Sequence, residues 1–165
     1  MMRAFGLQEL ARVVGAEAPT SDVMVQRIVT DTRNLQQGDL FVALRGDRFD
    51  GHGFLGAASK AGAVAAIVDK ADPGVALPQL VVDDTVQALA DLARFNREQS
   101  AAAVVAITGS SGKTTLKEML SAILANEGET LATSGNLNNH IGAPLTLFRL
   151  APEHRFAVIE LGASG

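Results

Sequence analysis

Ala103-Val-Val-Ala-Ile-Thr-Gly-Ser-Ser-Gly-Lys-Thr-Thr115 runs from an apolar pentapeptide into a turn rich in glycine and hydroxyl groups, and then into helical periodicity. A strand that turns through glycines into a helix aims several backbone N–H groups and the positive end of the helix dipole at one point, where an anion is stabilised. Gly109 and Gly112 let the backbone approach phosphate oxygens without Cβ interference. Lys113 adds a mobile charge for terminal phosphates, and Thr114 offers a hydroxyl to Mg²⁺. The expected ligand is a nucleoside triphosphate with its metal. The spacing is the short form G-x-x-G-K-T, because Ile107 occupies the first glycine position of the commoner G-x-x-x-x-G-K-[ST] loop. The plain alternative is a Gly/Ser turn with a solvated lysine. The coincidence of glycines, lysine and two threonines at a strand-to-helix junction favours phosphate binding.

Downstream, the helix is expected from Lys113 to about Asn126, with Leu116, Met119, Leu120, Ile123 and Leu124 on the face that packs against a sheet. A short strand near Thr130–Thr133 and a buried strand over Phe156–Leu161 follow. Parallel strands joined by crossovers gather their carboxyl ends on the edge that carries the loop. Glu160, the charged residue of the last strand, is therefore a candidate Mg²⁺ ligand, since Mg²⁺ selects hard oxygens and takes only one or two from protein. Between these elements, Asn136, Asn138 and Asn139 sit in the polar segment Ser134–Thr146. Their amides can orient a ligand without adding charge, and they suit turn formation and helix capping equally well, with Pro144 in a first helical turn.

Upstream, Leu7–Val14 reads as a helix stopped by Gly15. Val23–Thr30 and Leu40–Leu44 read as strands separated by the turn Gln36-Gln-Gly-Asp39. A helix over about Phe54–Lys60 precedes short buried strands at Val64–Val68 and Leu80–Val82, with Pro73, Gly74 and Pro78 punctuating the link. Asp84 or Thr85 can cap a helix whose apolar face includes Val86, Leu89, Leu92, Ala93 and Phe95 and which ends near Asn96–Ser100. The domain boundary is expected there. The fold class is α/β: a small N-terminal α/β domain over residues 1–100, then the start of a parallel-sheet phosphate-loop domain over 101–165.

Composition narrows the function classes. A chain of 165 residues that is 47% hydrophobic can build one sizeable core or two small ones. It contains no cysteine, so disulfides and thiolate metal sites are excluded, and a reducing cytosol suits it. The opening residues lack a signal-peptide core and no apolar run is long enough to span a bilayer, so the protein is expected to be cytoplasmic, without membrane insertion. A monomer is the expected state. A net charge of -4, a pI near 5.3 and the absence of Trp and Tyr argue against a nucleic-acid surface.

The motifs together carry a resemblance. Thr108-Gly-Ser-Ser-Gly-Lys-Thr-Thr115, Gly135-Asn-Leu-Asn-Asn-His-Ile-Gly-Ala-Pro144 and Glu160-Leu-Gly162 resemble, in order, the motifs of the Mur ligases. The Gly-Asn-Leu-Asn-Asn form is similar to that of the members that add D-Ala-D-Ala. Thr30-Asp-Thr-Arg33, Gly38-Asp-Leu-Phe-Val-Ala-Leu-Arg-Gly46 and Asp50-Gly-His52 resemble the family's N-terminal domain, which binds the UDP portion of the precursor. The resemblance spans essentially the whole chain. It implies that Gly109, Ser110, Ser111, Gly112, Lys113, Thr114 and Thr115 wrap the ATP phosphates, with Thr114 and Glu160 near Mg²⁺ and with Lys113 and Glu160 as the catalytic pair. It further implies that Asn138 and Asn139 face the nucleotide or the muramoyl substrate, and that Thr32, Arg33, Arg45, Gly46, Asp50 and His52 shape the UDP site. His140 and His154 are expected at the surface.

The implied reaction is ATP-dependent amide formation between UDP-MurNAc-tripeptide and D-Ala-D-Ala through an acyl phosphate, in peptidoglycan precursor synthesis. Family members continue into the rest of the ATPase domain and a C-terminal domain, so the chain is expected to be an N-terminal portion, inactive alone. Many of the D-Ala-D-Ala-adding members follow Glu-Leu-Gly with Ala-Asn-His, whereas this chain has Ala163-Ser-Gly165, so those residues receive no role. Two other readings stand beside it: the family members that add the third amino acid, and a non-catalytic UDP- or nucleotide-binding module.

Overall fold

A computed structural model describes residues 2–46, 49–109, 111–133 and 141–160. The chain divides into two compact units, Arg3–Leu92 and the chain from Ala93 onward with Met2. The division falls inside the helix Thr85–Glu98 (α3), whose end lies close to the boundary expected near Ser100.

In the first unit, a strand Phe5–Gly6 (β1) leads into the helix Leu7–Val14 (α1), which ends on Gly15 in the left-handed region, φ 75°. The stretch Val23–Thr30 does not form one strand. Met24–Val25 (β2) pairs antiparallel with β1, whereas Arg27–Val29 (β3) pairs parallel with Asp39–Val42 (β4). Gln26 stands between the two sheets and donates its N–H to Gly38 O at 2.9 Å. The apolar stretches on either side of Gln26-Arg27 thus serve two different sheets.

Strands β3 and β4, Ala65–Val68 (β5) and Gln79–Val81 (β6) form a parallel sheet in the order β3-β4-β5-β6. The two central strands, β4 and β5, are buried at every position, which is why they read as continuous apolar runs rather than alternating ones. On one face, Phe41, Ala43, Ala66 and Val68 pack with Leu55 and Ala58 of the helix Leu55–Ala61 (α2). The alternate residues Leu40, Val42, Ala65 and Ile67 are fully buried on the other face.

Asp39, at the start of β4, is the polar exception. Its cross-strand partner is Arg27, whose Nε and Nη2 donate to the carboxylate at 3.0 and 2.6 Å, while Gln36 N–H donates at 2.8 Å. The pairing raises the Arg27 pKa, chiefly through that hydrogen bond. A buried carboxylate so satisfied ties the Gln36–Asp39 turn to the sheet.

The second unit carries Ala103–Ile107 (β7), Lys113–Ala125 (α4), Thr130–Ala132 (β8), Gly142–Leu147 (α5) and Phe156–Glu160 (β9). Its strands are all parallel, in the order β7-β9-β8. Leu131, Leu150, Ala157 and Ile159 form its core. Asn96 of α3 is buried and donates Nδ2 to Leu147 O and Leu150 O at 2.9 and 3.2 Å, tying α3 to the end of α5 and the turn after it.

The face expected for α4 is corrected. Leu116, Met119 and Ile123 are 53%, 59% and 61% exposed, while Lys117 is buried and Leu120 and Leu124 are half-buried. The helix has two apolar stripes about a quarter-turn apart, and the one that meets β8 and β9 is the stripe containing Lys117. A hydropathy count favours the stripe with more large apolar side chains, which is the open one.

Gly51 opens the 3₁₀ turn Gly51–Phe54 that leads into α2, and it lies against the end of β4. A Cβ there would come within 2.8 Å of Leu44 N and 3.0 Å of Ala43 Cα, and Gly51 N–H donates to Leu44 O at 2.7 Å. Gly53, two residues on, has nothing within 4 Å of its own Cβ position. Gly51→Ala is therefore expected to lower stability by about 1–3 kcal/mol through overpacking against backbone, and Gly53→Ala by no more than about 0.5 kcal/mol. Urea unfolding of the two variants gives the comparison.

Candidate functional site

Two sites lie at the carboxyl edges of the two parallel sheets, where ligand sites form in open α/β folds. The first is the loop between β7 and α4. Gly109 has φ 140° and Gly112 φ 76°, so both occupy backbone conformations that a side chain would strain. Gly112 is also the N-cap of α4, and no side chain caps the helix there. Its first N–H groups therefore face the loop, together with the helix dipole. Ser110 lies outside the described residues.

Glu160 reaches this loop because β9 runs between β7 and β8 and its register with β7 sets Glu160 opposite Ile107, just before the loop begins. The Thr114 hydroxyl lies 3.4 Å from both carboxylate oxygens. The backbone N–H of Glu160 donates to the buried Thr133 Oγ1 at 3.0 Å, and Thr133 N–H donates to Val158 O at 3.1 Å. A hydroxyl thus extends the β8–β9 ladder one step past the last paired residue and fixes the backbone from which the carboxylate projects. Lys117, 8% exposed, brings Nζ to 3.7 Å from Glu160 Oε2.

The hard-oxygen pair Glu160 and Thr114 fits a divalent cation that takes its remaining ligands from phosphate and water. Among the described residues no group of three or more His, Cys, Asp or Glu side chains is placed to hold a metal by itself. Asn136, Asn138, Asn139 and His140 lie outside the described residues, as do Leu161 to Gly165.

The second site lies at the carboxyl ends of β4 and β5. Arg45 donates Nε and Nη2 to the Asp69 carboxylate, both at 2.7 Å, and Nη1 to Asp50 Oδ2 at 2.6 Å. His52 Nδ1 lies 2.7 Å from Asp50 Oδ1, and Asp69 N–H donates to His52 Nε2 at 3.1 Å. His52 Nε2 also lies 3.1 Å from Asp69 Oδ1, so the ring stands between the two carboxylates that hold Arg45. Asp50 also accepts the His52 N–H, at 3.0 Å, and so caps the 3₁₀ turn.

These bonds shift the charges. The Arg45 side-chain hydrogen bond holds the Asp69 pKa below the usual carboxylate range, the His52 N–H does the same for Asp50, and Asp69 raises that of Arg45. A pocket of about 350 Å³ opens here, lined by Arg45, His52, Lys70, Ala71, Asp72 and Pro73. Gly46, beside Arg45, donates its N–H to Phe49 O at 2.6 Å, and Arg45 bridges to Asp50, which closes a hairpin-like loop.

Thr32 and Arg33 stand apart from this cluster, on the 3₁₀ turn Thr32–Asn34 after β3. Arg33 turns back on Asp31, which accepts its N–H and its guanidinium, and this lowers the Asp31 pKa. The structure thus joins Arg45, Asp50 and His52 on one side and Thr114 with Glu160 on the other. His154 does more than face water, since its Nδ1 accepts Ala151 N–H at 2.9 Å.

Four structurally important residues escape sequence reasoning. Lys117 follows Lys113 by four positions and so shares its helix face, a signal that periodicity contains. Asp69 directly follows an apolar strand, where charged residues of parallel sheets meet ligands. Asp39 and Thr133 give no comparable signal, because their roles arise from cross-strand neighbours.

Comparison with known proteins places these features. Residues 107–165 match the Mur ligase middle domain and residues 24–97 match the Mur ligase family catalytic domain. The UDP-N-acetylmuramoyl-tripeptide–D-alanyl-D-alanine ligase of Escherichia coli (strain K12) is 51% identical over 158 residues, which cover 96% of this chain and 35% of that protein. The ligase of the same name from Bacillus subtilis (strain 168) is 38% identical over 162 residues, 96% of this chain and 35% of that protein. The chain therefore spans about a third of the length of the curated relatives it matches. A crystal structure of MurF from Acinetobacter baumannii superposes with a TM-score of 0.89 at 43% identity, covering 98% of this chain and 36% of that one. The MurF ligase of Thermotoga maritima, solved in complex with ADP, gives 0.75 at 37% identity over 84% of this chain and 32% of that one. Taken with a glycine loop whose threonine meets a strand-end glutamate, these matches across both halves establish that the chain belongs to the Mur ligase family.

Proposed function

We propose that this chain supplies the UDP-precursor-binding domain, over residues 1–100, and the start of the ATP-binding domain, over 101–165, of a cytoplasmic, monomeric ligase that joins D-Ala-D-Ala to UDP-MurNAc-tripeptide. The observation that carries the reading is the β7–β9 register, which sets the Glu160 carboxylate 3.4 Å from the Thr114 hydroxyl below a loop with two positive-φ glycines. The names of its relatives and the ADP bound to the Thermotoga maritima ligase support the same assignment.

An amide cannot form readily from a carboxylate, whose leaving group would be an oxide. Attack of a carboxylate oxygen on the γ-phosphorus of ATP forms an acyl phosphate and breaks the bond to the β–γ bridging oxygen, releasing ADP. The amine then attacks the acyl carbon, loses a proton, and expels phosphate. Lys113 and the N–H groups of Gly109 to Thr115 offset charge that accumulates on the transferred phosphoryl, so this segment acts by positioning and electrostatics. Mg²⁺, when bound, neutralises phosphate charge; Thr114 and Glu160 are the residues that would hold it. Ser110, Asn138 and Asn139 complete the proposed contacts to nucleotide and muramoyl substrate.

At the other site, Thr32, Arg33, Arg45, Gly46, Asp50 and His52 frame the UDP moiety. Three Arg45 N–H groups are engaged by Asp50 and Asp69, leaving two of its five for a diphosphate oxygen. Asp50 and Asp69 hold the guanidinium in place.

In the complete ligase, Lys113→Ala is expected to cut turnover at saturating ATP by about 10²-fold or more, in line with the loss of one transition-state donor, with an unchanged thermal midpoint. Near-normal turnover would remove Lys113 from the mechanism. Glu160→Gln is expected to shift the Mg²⁺ titration of activity to higher concentration, because the amide keeps the shape and loses the charge; an unshifted titration would leave Glu160 a structural strand end.

Calorimetric titration of this chain with UDP-MurNAc-tripeptide is expected to show weak binding, and Arg45→Ala is expected to weaken it further by about tenfold, a charge-assisted hydrogen bond's worth. Binding at wild-type strength would exclude Arg45 from the site. The same variant has a spectroscopic reading. Asp69 in the wild type has its folded pKa lowered by Arg45, so the stabilisation from this pairing is present above the unfolded pKa and is lost as pH falls through the folded value. Carboxyl-carbon NMR is expected to show Asp69 titrating at higher pH in Arg45→Ala than in the wild type.

A further inference from the structure

Lys117 is the one charged residue on the sheet-facing stripe of α4 beyond its first turn, and its side chain is 10% exposed. A buried ammonium is unfavourable unless paired. Its partner is Glu160 Oε2, at 3.7 Å, which belongs to the carboxylate that would hold the metal. We propose that Lys117 is a positioning residue that makes divalent-metal binding at Glu160 conditional on nucleotide phosphates. The proposal rests on the Mg²⁺–nucleotide reading of the loop and adds to it a mechanism that orders the two ligands.

The argument is one of local charge. Without nucleotide, the described residues offer the metal one carboxylate and one neutral hydroxyl, and that carboxylate is already matched by an ammonium. Lys113, one turn earlier on the same helix face, adds positive charge at the loop. A dication entering alone meets repulsion from a buried cation across the oxygen it needs. A triphosphate reverses the balance, because its oxygens bring several negative charges to the loop. The carboxylate, with Oε2 toward Lys117 and the Thr114 hydroxyl equidistant from its two oxygens, could then serve both cations. A purely structural ion pair would stabilise the sheet without discriminating between metal alone and metal with nucleotide.

Mn²⁺ binding to this chain, followed by electron paramagnetic resonance with and without ADP, separates these roles. The wild type is expected to bind Mn²⁺ far more tightly with ADP than without it. Lys117→Met is expected to gain about tenfold or more in nucleotide-free Mn²⁺ affinity, and the ratio of the two affinities is expected to fall. Lys117→Arg, which keeps the charge, is expected to behave as the wild type. Lys117→Gln removes the charge but keeps a donor toward the carboxylate, and is expected to show the same gain if the methionine variant proves too unstable to fold. Unchanged nucleotide-free Mn²⁺ affinity in the neutral variants, alongside normal Mn²⁺–ADP binding by the wild type, overturns the role of Lys117 alone. Failure of the wild type to bind Mn²⁺ with ADP overturns the nucleotide reading, and this assignment with it.

Discussion

The pairing of Ile107 with Glu160 across β7 and β9 is the constraint on which the phosphate-loop site depends. Both strands run the same way, so the last residue of β7 and the carboxylate of β9 reach the same height above the sheet. One residue's slip would turn Glu160 to the opposite face and leave the loop without an acid. The slip is resisted on both sides of β9, by five paired positions with β7 and three with β8, and by the Thr133 hydroxyl that continues the β8 ladder to the Glu160 N–H. Binding geometry here is a by-product of strand register. The loop supplies donors, but the sheet decides what stands opposite them.

The first unit solves a different electrostatic problem with the same architecture. Charged groups gather at the carboxyl edge of its sheet, and most satisfy one another before any ligand arrives. Arg45 sits between two carboxylates, and His52 bridges one of them to the backbone and carboxylate of Asp69. At the opposite edge, Asp39 and Arg27 form a comparable pair with a purely architectural role. The difference lies in exposure: Asp39 is sealed within the protein, whereas Arg45 is half exposed beside a pocket. A polar pair becomes a recognition element when it is left at an opening with donors to spare.

Much of this was legible from residues. Buried parallel strands announce themselves as apolar runs, and β4, β5 and β9 fall where those runs lie. The glycine loop and the strand-end glutamate follow from local chemistry plus one topological rule. The failures share a cause, which is that they depend on neighbours distant in sequence. Val23–Thr30 splits because its two halves join different sheets, and α4 turns an unexpected stripe inward because Glu160, more than forty positions later, supplies a partner for Lys117. Asp50-Gly-His52 has the letters of an ordinary turn, yet Gly51 is pressed against the backbone of β4 and His52 is a hub of hydrogen bonds.

The exposed stripe of α4 bears on how this polypeptide behaves during synthesis and handling. Leu116, Met119 and Ile123 lie open on the helix, and β7, an uncharged strand of Ala, Val and Ile, occupies one edge of its sheet, with no further strand beside it among the described residues. An apolar edge without a lysine, proline or bulge to blunt it is a template for pairing with another chain. A two-sided amphipathic helix likewise seeks a second surface. In the first unit the central strands β4 and β5 are paired on both sides and buried at every position. Aggregation of this chain on heating or concentration should therefore originate in the second unit, and cover over α4 and β7 would act on solubility before it acted on catalysis.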